Sequence, residues 1–268
     1  MSQYTNTGFA AAYNNTGGPF NNSATGGVTG LTLQQYSQDI ADSFVTYSNL
    51  FNTDILYAES DDFINSNSGF WSSAASGAGA TYQSSTFGVD NTEHAFGVVA
   101  LTTGTTAGGY AYQYKLGQIK LGYGHAVTLR FRIAAEALST VTDRYTMYLG
   151  MGDAINGTEH SNGIYFKYND SVSANYQCVT ANGGVRTATT TTIAQSIVYK
   201  TFEIRVDGSA ATATFTIDGT VAATTSTNMP VGQLVYPAVF GIVKSAGTTA
   251  RLIDNDYYNL IVTRSGAR

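Results

Sequence analysis

The chain has 268 residues, room for one large all-β domain with an appendage, and only 12% of them are charged, about half the usual share. A net charge of −5, with 13 Lys and Arg scattered singly, provides no basic field and argues against wrapping around nucleic acid. Cys178 is the lone cysteine, which excludes an intrachain disulfide, and no apolar run approaches the roughly 18 residues of a membrane helix, so no membrane insertion is expected.

Residues 1–38 carry no charged side chain; the first is Asp39. Gly, Asn and Thr dominate this arm, and Tyr4, Phe9, Tyr13 and Phe20 are spaced through it. It has too little to form a core, and without charge it is sticky rather than solvating, so burial against another chain is the expected way to offset its ordering entropy. The first residues lack a positive stretch followed by a long apolar one, so they do not read as a secretory leader, and synthesis in a cytoplasm is expected. Residues 31–45, LTLQQYSQDIADSFV, predict one short amphipathic helix, with Leu33, Tyr36, Ile40 and Phe44 recurring at threes and fours. Thr32 and Gln35 have the spacing of a capping box, and Leu31 and Tyr36 that of a hydrophobic staple. Residues 1–50 are therefore read as an assembly or docking unit whose interface residues are Tyr4, Phe9, Tyr13, Phe20, Leu33, Tyr36, Ile40 and Phe44. Residues 51–268 are read as a β-sandwich.

Thr25-Gly26-Gly27-Val28-Thr29, Leu33 and the run Asp39 to Phe44 resemble a short module near the N-termini of tailed-phage virion proteins, although an Arg common in that helix is absent here. The resemblance implies a virion structural protein, made in the host cytoplasm, that decorates a capsid or belongs to a tail or fibre appendage. Its partners would be other virion proteins bound through the arm, with a homo-oligomer, a trimer above all, as its own state.

From residue 50 onward, strand-like runs are bounded by Gly, Asn and Asp clusters, which predicts an antiparallel sandwich. The expected strands lie near 79–88, 94–103, 109–116, 125–134, 143–151, 163–168, 174–181, 197–207, 211–218, 235–243 and 252–264. His125 to Ile133 alternates, placing Val127, Leu129, Phe131 and Ile133 inward and Arg130 and Arg132 outward. The clearest stretch is 197–222. There Phe202, Ile204 and Val206, then Ala213, Phe215 and Ile217, fall on one face, and Asp207-Gly208 and Asp218-Gly219 read as tight hairpin turns. A meander with one greasy face needs a second sheet to cover it.

Asp61-Asp62-Phe63 with Trp71 soon after, FTIDGTVAAT at 215–224, PAVFGI at 237–242 and DYYNLIV at 256–262 are together similar to concanavalin A-like jelly rolls of the lectin and glucanase type. The resemblance spans residues 59–264 and implies two curved sheets of about six or seven strands each. That fold hosts lectins, hydrolases and structural domains alike, so it does not imply an activity. Glycosidases of this fold carry E-x-D-x-E, because cleavage needs two carboxyl groups flanking the bond. The nearest match here is Glu59, Asp61 and Phe63, where Phe63 replaces the second Glu; with Asp54 and Asp62 it reads as a solvated turn. No catalytic residue, and hence no enzyme, is expected. His94, His125 and His160 have no ligand spacing, so neither a metal nor a cofactor is expected.

Tyr110, Tyr112 and Tyr114 share one face of their strand, with Ala111, Gln113 and Lys115 on the other. Such rings suit stacking on sugars and are the candidate glycan-binding residues, for instance toward a cell-surface glycan. The competing expectation is that this face packs on the partner sheet as the edge of the core. The functional expectation is a virion protein displaying a lectin-like domain. The alternatives are a free carbohydrate-binding module, marked by an exposed tyrosine row, and a polysaccharide-cleaving enzyme, marked by facing buried carboxylates.

Overall fold

The computed structural model describes residues 55–61, 63, 71–84 and 97–264. The arm, the helix expected at 31–45 and all eight proposed interface residues lie outside the described residues, as do Asp54, Asp62 and His94.

Sixteen strands follow in chain order: β1 (Ile55–Asp61), β2 (Trp71–Ser76), β3 (Ala80–Ser84), β4 (Val99–Thr103), β5 (Tyr110–Lys115), β6 (Ile119–Lys120), β7 (His125–Ala135) and β8 (Tyr145–Gly152), then β9 (Gly163–Asn169), β10 (Ser173–Asn182), β11 (Val185–Ala194), β12 (Lys200–Val206), β13 (Ala213–Ile217), β14 (Thr220–Thr225), β15 (Leu234–Lys244) and β16 (Leu252–Arg264). They build two eight-stranded sheets. The first runs β14-β13-β12-β7-β16-β4-β3 with β1 beside β16, and the second runs β11-β10-β9-β8-β15-β5-β2 with β6 beside β15. Paired strands are antiparallel, as in Phe202 opposite Phe131 and Gly241 opposite Tyr148. The fold is an all-β, antiparallel two-sheet sandwich, and the described residues contain no helix. Eight strands per sheet exceed the six or seven implied by the resemblance, because β1, β2, β6, β11 and β14 add to the eleven strand ranges read from sequence.

Alternation builds the core. Val127, Leu129, Phe131, Phe202, Ile204, Val206, Phe215 and Ile217 are all buried, and the opposite face carries Arg130 and the Glu203–Arg205 ion pair at 2.6 Å. Phe131 stacks on Phe202 at 5.3 Å, and Phe166 from the second sheet meets both Phe202 and Phe215 edge-on at 5.0 and 5.1 Å. Each such ring removes a large apolar area from water, which is the main source of stability for a two-layer fold.

The two Asp-Gly pairs behave differently. Asp218 (φ 50°) and Gly219 (φ 79°) make the expected tight hairpin between β13 and β14, both in the left-handed region that such a turn demands. At Asp207-Gly208 the expectation of a tight turn is corrected. β12 ends at Val206 and β13 begins only at Ala213, because the Asp207 carboxylate accepts the Ser209 and Ala211 amides at 3.1 and 3.0 Å and winds a wider loop in which Ala210 takes the positive φ.

Candidate functional site

β5 is turned so that its polar residues face the sandwich interior. Asn255 of β16 donates Nδ2 to Gln113 Oε1 at 3.0 Å, and Lys115 donates Nζ to Glu59 Oε1 of β1 at 2.6 Å, so both links cross from the second sheet to the first. Tyr110, Tyr112 and Tyr114 therefore share the other face, as the alternation requires, and point away from the partner sheet. The competing expectation that these rings pack between the sheets is corrected: Gln113 and Lys115 hold the inward positions.

The acidic segment is corrected as well. Glu59 and Asp61 lie within β1 rather than in a solvated turn; Glu59 is paired with buried Lys115, while the Asp61 carboxylate accepts the Phe63 amide at 2.8 Å and the Trp71 indole N–H at 3.2 Å. Trp71 then packs edge-on against Phe63 and Tyr258, at 5.5 and 4.6 Å. These carboxylates anchor an edge of the core.

The outer face of the second sheet gathers a second apolar cluster, formed by Tyr112, Tyr148, Tyr165, Val179, Ala181 and Val239, with Tyr110, Tyr114 and Tyr236 at its margin. Tyr112 lies across Gly241 of the neighbouring strand so closely that a Cβ there would overlap the ring, so only glycine admits it. Tyr114 and Tyr236 form a tilted pair, with centroids 4.9 Å apart and planes inclined by 56°. Tyr112, Tyr148 and Tyr165 are buried, whereas Tyr110, Tyr114 and Tyr236 remain partly exposed.

The cover over the buried three is the β8–β9 loop, residues 153–162, which folds back across the face. Ile155 packs into the cluster, and Gly157 passes over Tyr110, where a Cβ would come within 2.8 Å of the ring. The Glu159 carboxylate accepts the Tyr165 hydroxyl at 2.9 Å and Lys167 Nζ at 2.8 Å. Arg186 of β11 donates Nε to the His160 carbonyl at 3.0 Å and Nη2 to the Glu159 carbonyl at 3.1 Å. Asp153 accepts the Ser161 and Asn162 amides at 2.9 and 3.0 Å, closing the loop on itself.

His160 is fully buried, meeting Tyr165 edge-on at 4.8 Å, and its Nδ1 accepts the Ala154 amide at 3.0 Å, which places the proton of the neutral ring on Nε2. Burial lowers its pKa from the ordinary 6.5 to about 4, outweighing the opposite pull of Asp153 and Glu159. Burial likewise raises the phenol pKa values of Tyr112, Tyr148 and Tyr165 well above the usual range.

No strand of the second sheet carries an Asp or Glu. The loop over this face carries two carboxylates, Glu159 held by Tyr165 and Lys167 and Asp153 held by backbone amides. Among the described residues no group of His, Cys, Asp and Glu has metal-binding geometry. The sequence reading missed Tyr148, Tyr165, Tyr236, Glu159 and Arg186. Tyr148 and Tyr165 sit on strands buried on both faces for most of their length, where alternation gives no signal.

Two antiparallel sheets with these connections define the class, a jelly-roll sandwich, and the solved structures it superposes on include lectin-type and glucanase domains of the same fold. Residues 94–256 match the family model described as the SO2946-like, C-terminal domain, and the chain belongs to that family. A protein of unknown function, SO2946 from Shewanella oneidensis MR-1, superposes with a TM-score of 0.54 at 17% identity, over 79% of this chain and 88% of that one. An endo-1,3-beta-glucanase from Streptomyces sioyaensis gives 0.54 at 12% identity, over 79% and 97%. The carbohydrate recognition domain of Emp46p, in a Y131F mutant, gives 0.50 at 11%, over 74% and 89%. At these identities the likeness is one of fold. No curated protein matches the chain.

Proposed function

We propose that the sandwich is a carbohydrate-binding domain that holds glycans without cleaving them, through Tyr110, Tyr114 and Tyr236 on the outer face of the second sheet. The observation that carries this reading is the partly exposed Tyr114–Tyr236 pair on a face turned away from the core, since rings with a polar rim offer both a stacking surface and a hydrogen-bonding edge to a sugar. Binding without cleavage is supported by the carboxylate-free strands of that sheet and by the engagement of Glu159 with Tyr165 and Lys167. The test is titration of the domain with a panel of oligosaccharides, alongside Tyr114→Ala and Tyr236→Ala and an assay for released reducing ends. Binding lost in both variants with no release supports the reading. A panel that binds nothing, or variants that bind as the parent does, overturns it.

The setting we assign is a phage virion, with residues 1–45 as the attachment to neighbouring chains and the sandwich as the displayed surface. It rests on the sequence of that arm: no charge before Asp39, spaced aromatics and a capped amphipathic stretch. Deleting residues 1–28 should leave a folded sandwich that no longer oligomerises or incorporates into particles. A truncated form that still does both removes this assignment.

A further inference from the structure

The β8–β9 loop divides the tyrosine face into a closed middle and an open margin, and this division limits what the face can hold. Six rings lie on the face. Tyr112, Tyr148 and Tyr165, beneath the loop, have 0%, 7% and 0% of their surface accessible, while Tyr114 and Tyr236 beyond it, and Tyr110 at the edge that Gly157 crosses, stay partly open. A polymer lying across the strands would need the middle.

The loop is built as a fixture rather than a gate. Its Glu159 side chain is spent on Tyr165 and Lys167, two residues of the strand beneath it, and Arg186 grips the backbone carbonyls of both Glu159 and His160. Asp153 and His160 bond the loop internally, through Ser161, Asn162 and the Ala154 amide. Ile155 and His160 are its apolar and aromatic plugs. Lifting it would strip a partly buried carboxylate of its Tyr165 and Lys167 partners and expose three tyrosine rings at once, each a penalised step.

We infer that residues 153–162 are a permanent stop, which confines the site to a chain-terminal sugar or a short oligosaccharide and refuses internal segments of long polysaccharides. This rests on the glycan-binding reading above. Glu159 is then a positioning residue for specificity: it touches no ligand but fixes the wall that ends the site. Ser72 and Ala74 of β2, paired opposite Tyr114 and Tyr112, place small side chains beside the open strip.

The test is a length series by calorimetry, using mono-, di- and hexasaccharides of glucose, galactose and N-acetylglucosamine together with the corresponding polymers. For whichever sugar binds, affinity should change by less than about threefold from disaccharide to hexasaccharide, because added units find no further ring. In a variant with residues 154–161 replaced by Gly-Gly, the hexasaccharide should gain about tenfold over the disaccharide as Tyr112, Tyr148 and Tyr165 open. An NMR readout separates a fixture from a gate: the ring signals of His160 should stay unmoved as sugar is added to the unaltered protein. A tenfold or larger rise with length in the unaltered protein, or movement of His160 on binding, overturns the stop and leaves the tyrosine site standing. A panel with no bound sugar of any length overturns the site itself. Should the shortened variant fail to fold, the length series and the His160 signals decide alone.

Discussion

The imidazole of His160 rests on the backbone of Gly152, so close that a methyl group at residue 152 would overlap the ring. Gly152 closes β8 and His160 returns the loop to the same point, so the contact sets where the loop lands. Gly152→Ala should destabilise the domain by about 1 to 3 kcal/mol through overpacking. It should also move the His160 pKa upward as the ring is pushed toward water, which an NMR titration of the variant would read. An unchanged stability and an unchanged titration would show that the loop adjusts freely.

His160 also makes stability depend on pH. Its folded pKa of about 4 lies below its ordinary 6.5, so the fold favours the neutral ring, and the stabilisation is complete above about pH 6.5 and lost as pH falls toward 4. The groups facing it are Asp153, Glu159 and Arg186, of which the two carboxylates soften the loss. Denaturation midpoints at pH 7 and pH 4.5 should differ by an amount that shrinks in His160→Gln, with a ceiling of about 3 kcal/mol for this one group.

The link between Glu59 and Lys115 joins β1 to the second sheet at 2.6 Å, with the lysine 4% and the glutamate 18% exposed. Lys115→Met should cost about 2 to 4 kcal/mol, because it leaves a largely buried carboxylate without its partner. Adding Glu59→Leu should recover most of that loss, since an apolar pair of similar volume replaces the ions. Chemical denaturation of the single and double variants checks both steps.

Phe215 lies against Phe166 in the core, fully buried, and Phe215→Ala should cost about 3 to 5 kcal/mol. Val221 on the adjoining strand is 61% exposed, and Val221→Ala should change stability by no more than about 0.5 kcal/mol. Urea midpoints of the two variants, measured together, test the assignment of the buried face.

Legibility in the sequence followed how many faces of a strand are wet. β7 and β12 each have one face in the core and one in water, and their alternation gave both their position and their buried residues. β11 is exposed on nearly every side chain, so its run of threonines has no period to detect. β8 is buried along its whole length, and its covering on the outer side comes from a loop no local pattern announces. β1 was misread because Glu59 and Asp61 look solvated until Lys115, distant in the chain, and Trp71, across the following loop, are brought beside them. The tyrosine face was half visible: three rings on β5 follow from spacing, whereas Tyr236 and the Glu159 latch depend on which strands become neighbours.

The inward polar residues of β5 also act as an error check on strand pairing. A slip of β5 by one residue against β15 would reverse the parity of every side chain, sending Tyr112 and Tyr114 inward and carrying Gln113 and Lys115 out. Both rows are bulky enough to fill space, so apolar contact discriminates poorly between the two pairings. Asn255 and Glu59 do discriminate: in the slipped sheet both lose their partners together, leaving two stranded polar groups on the facing layer. The slipped pairing therefore carries the penalty of two unpaired polar groups, and the register that presents the tyrosine face is the one that avoids it.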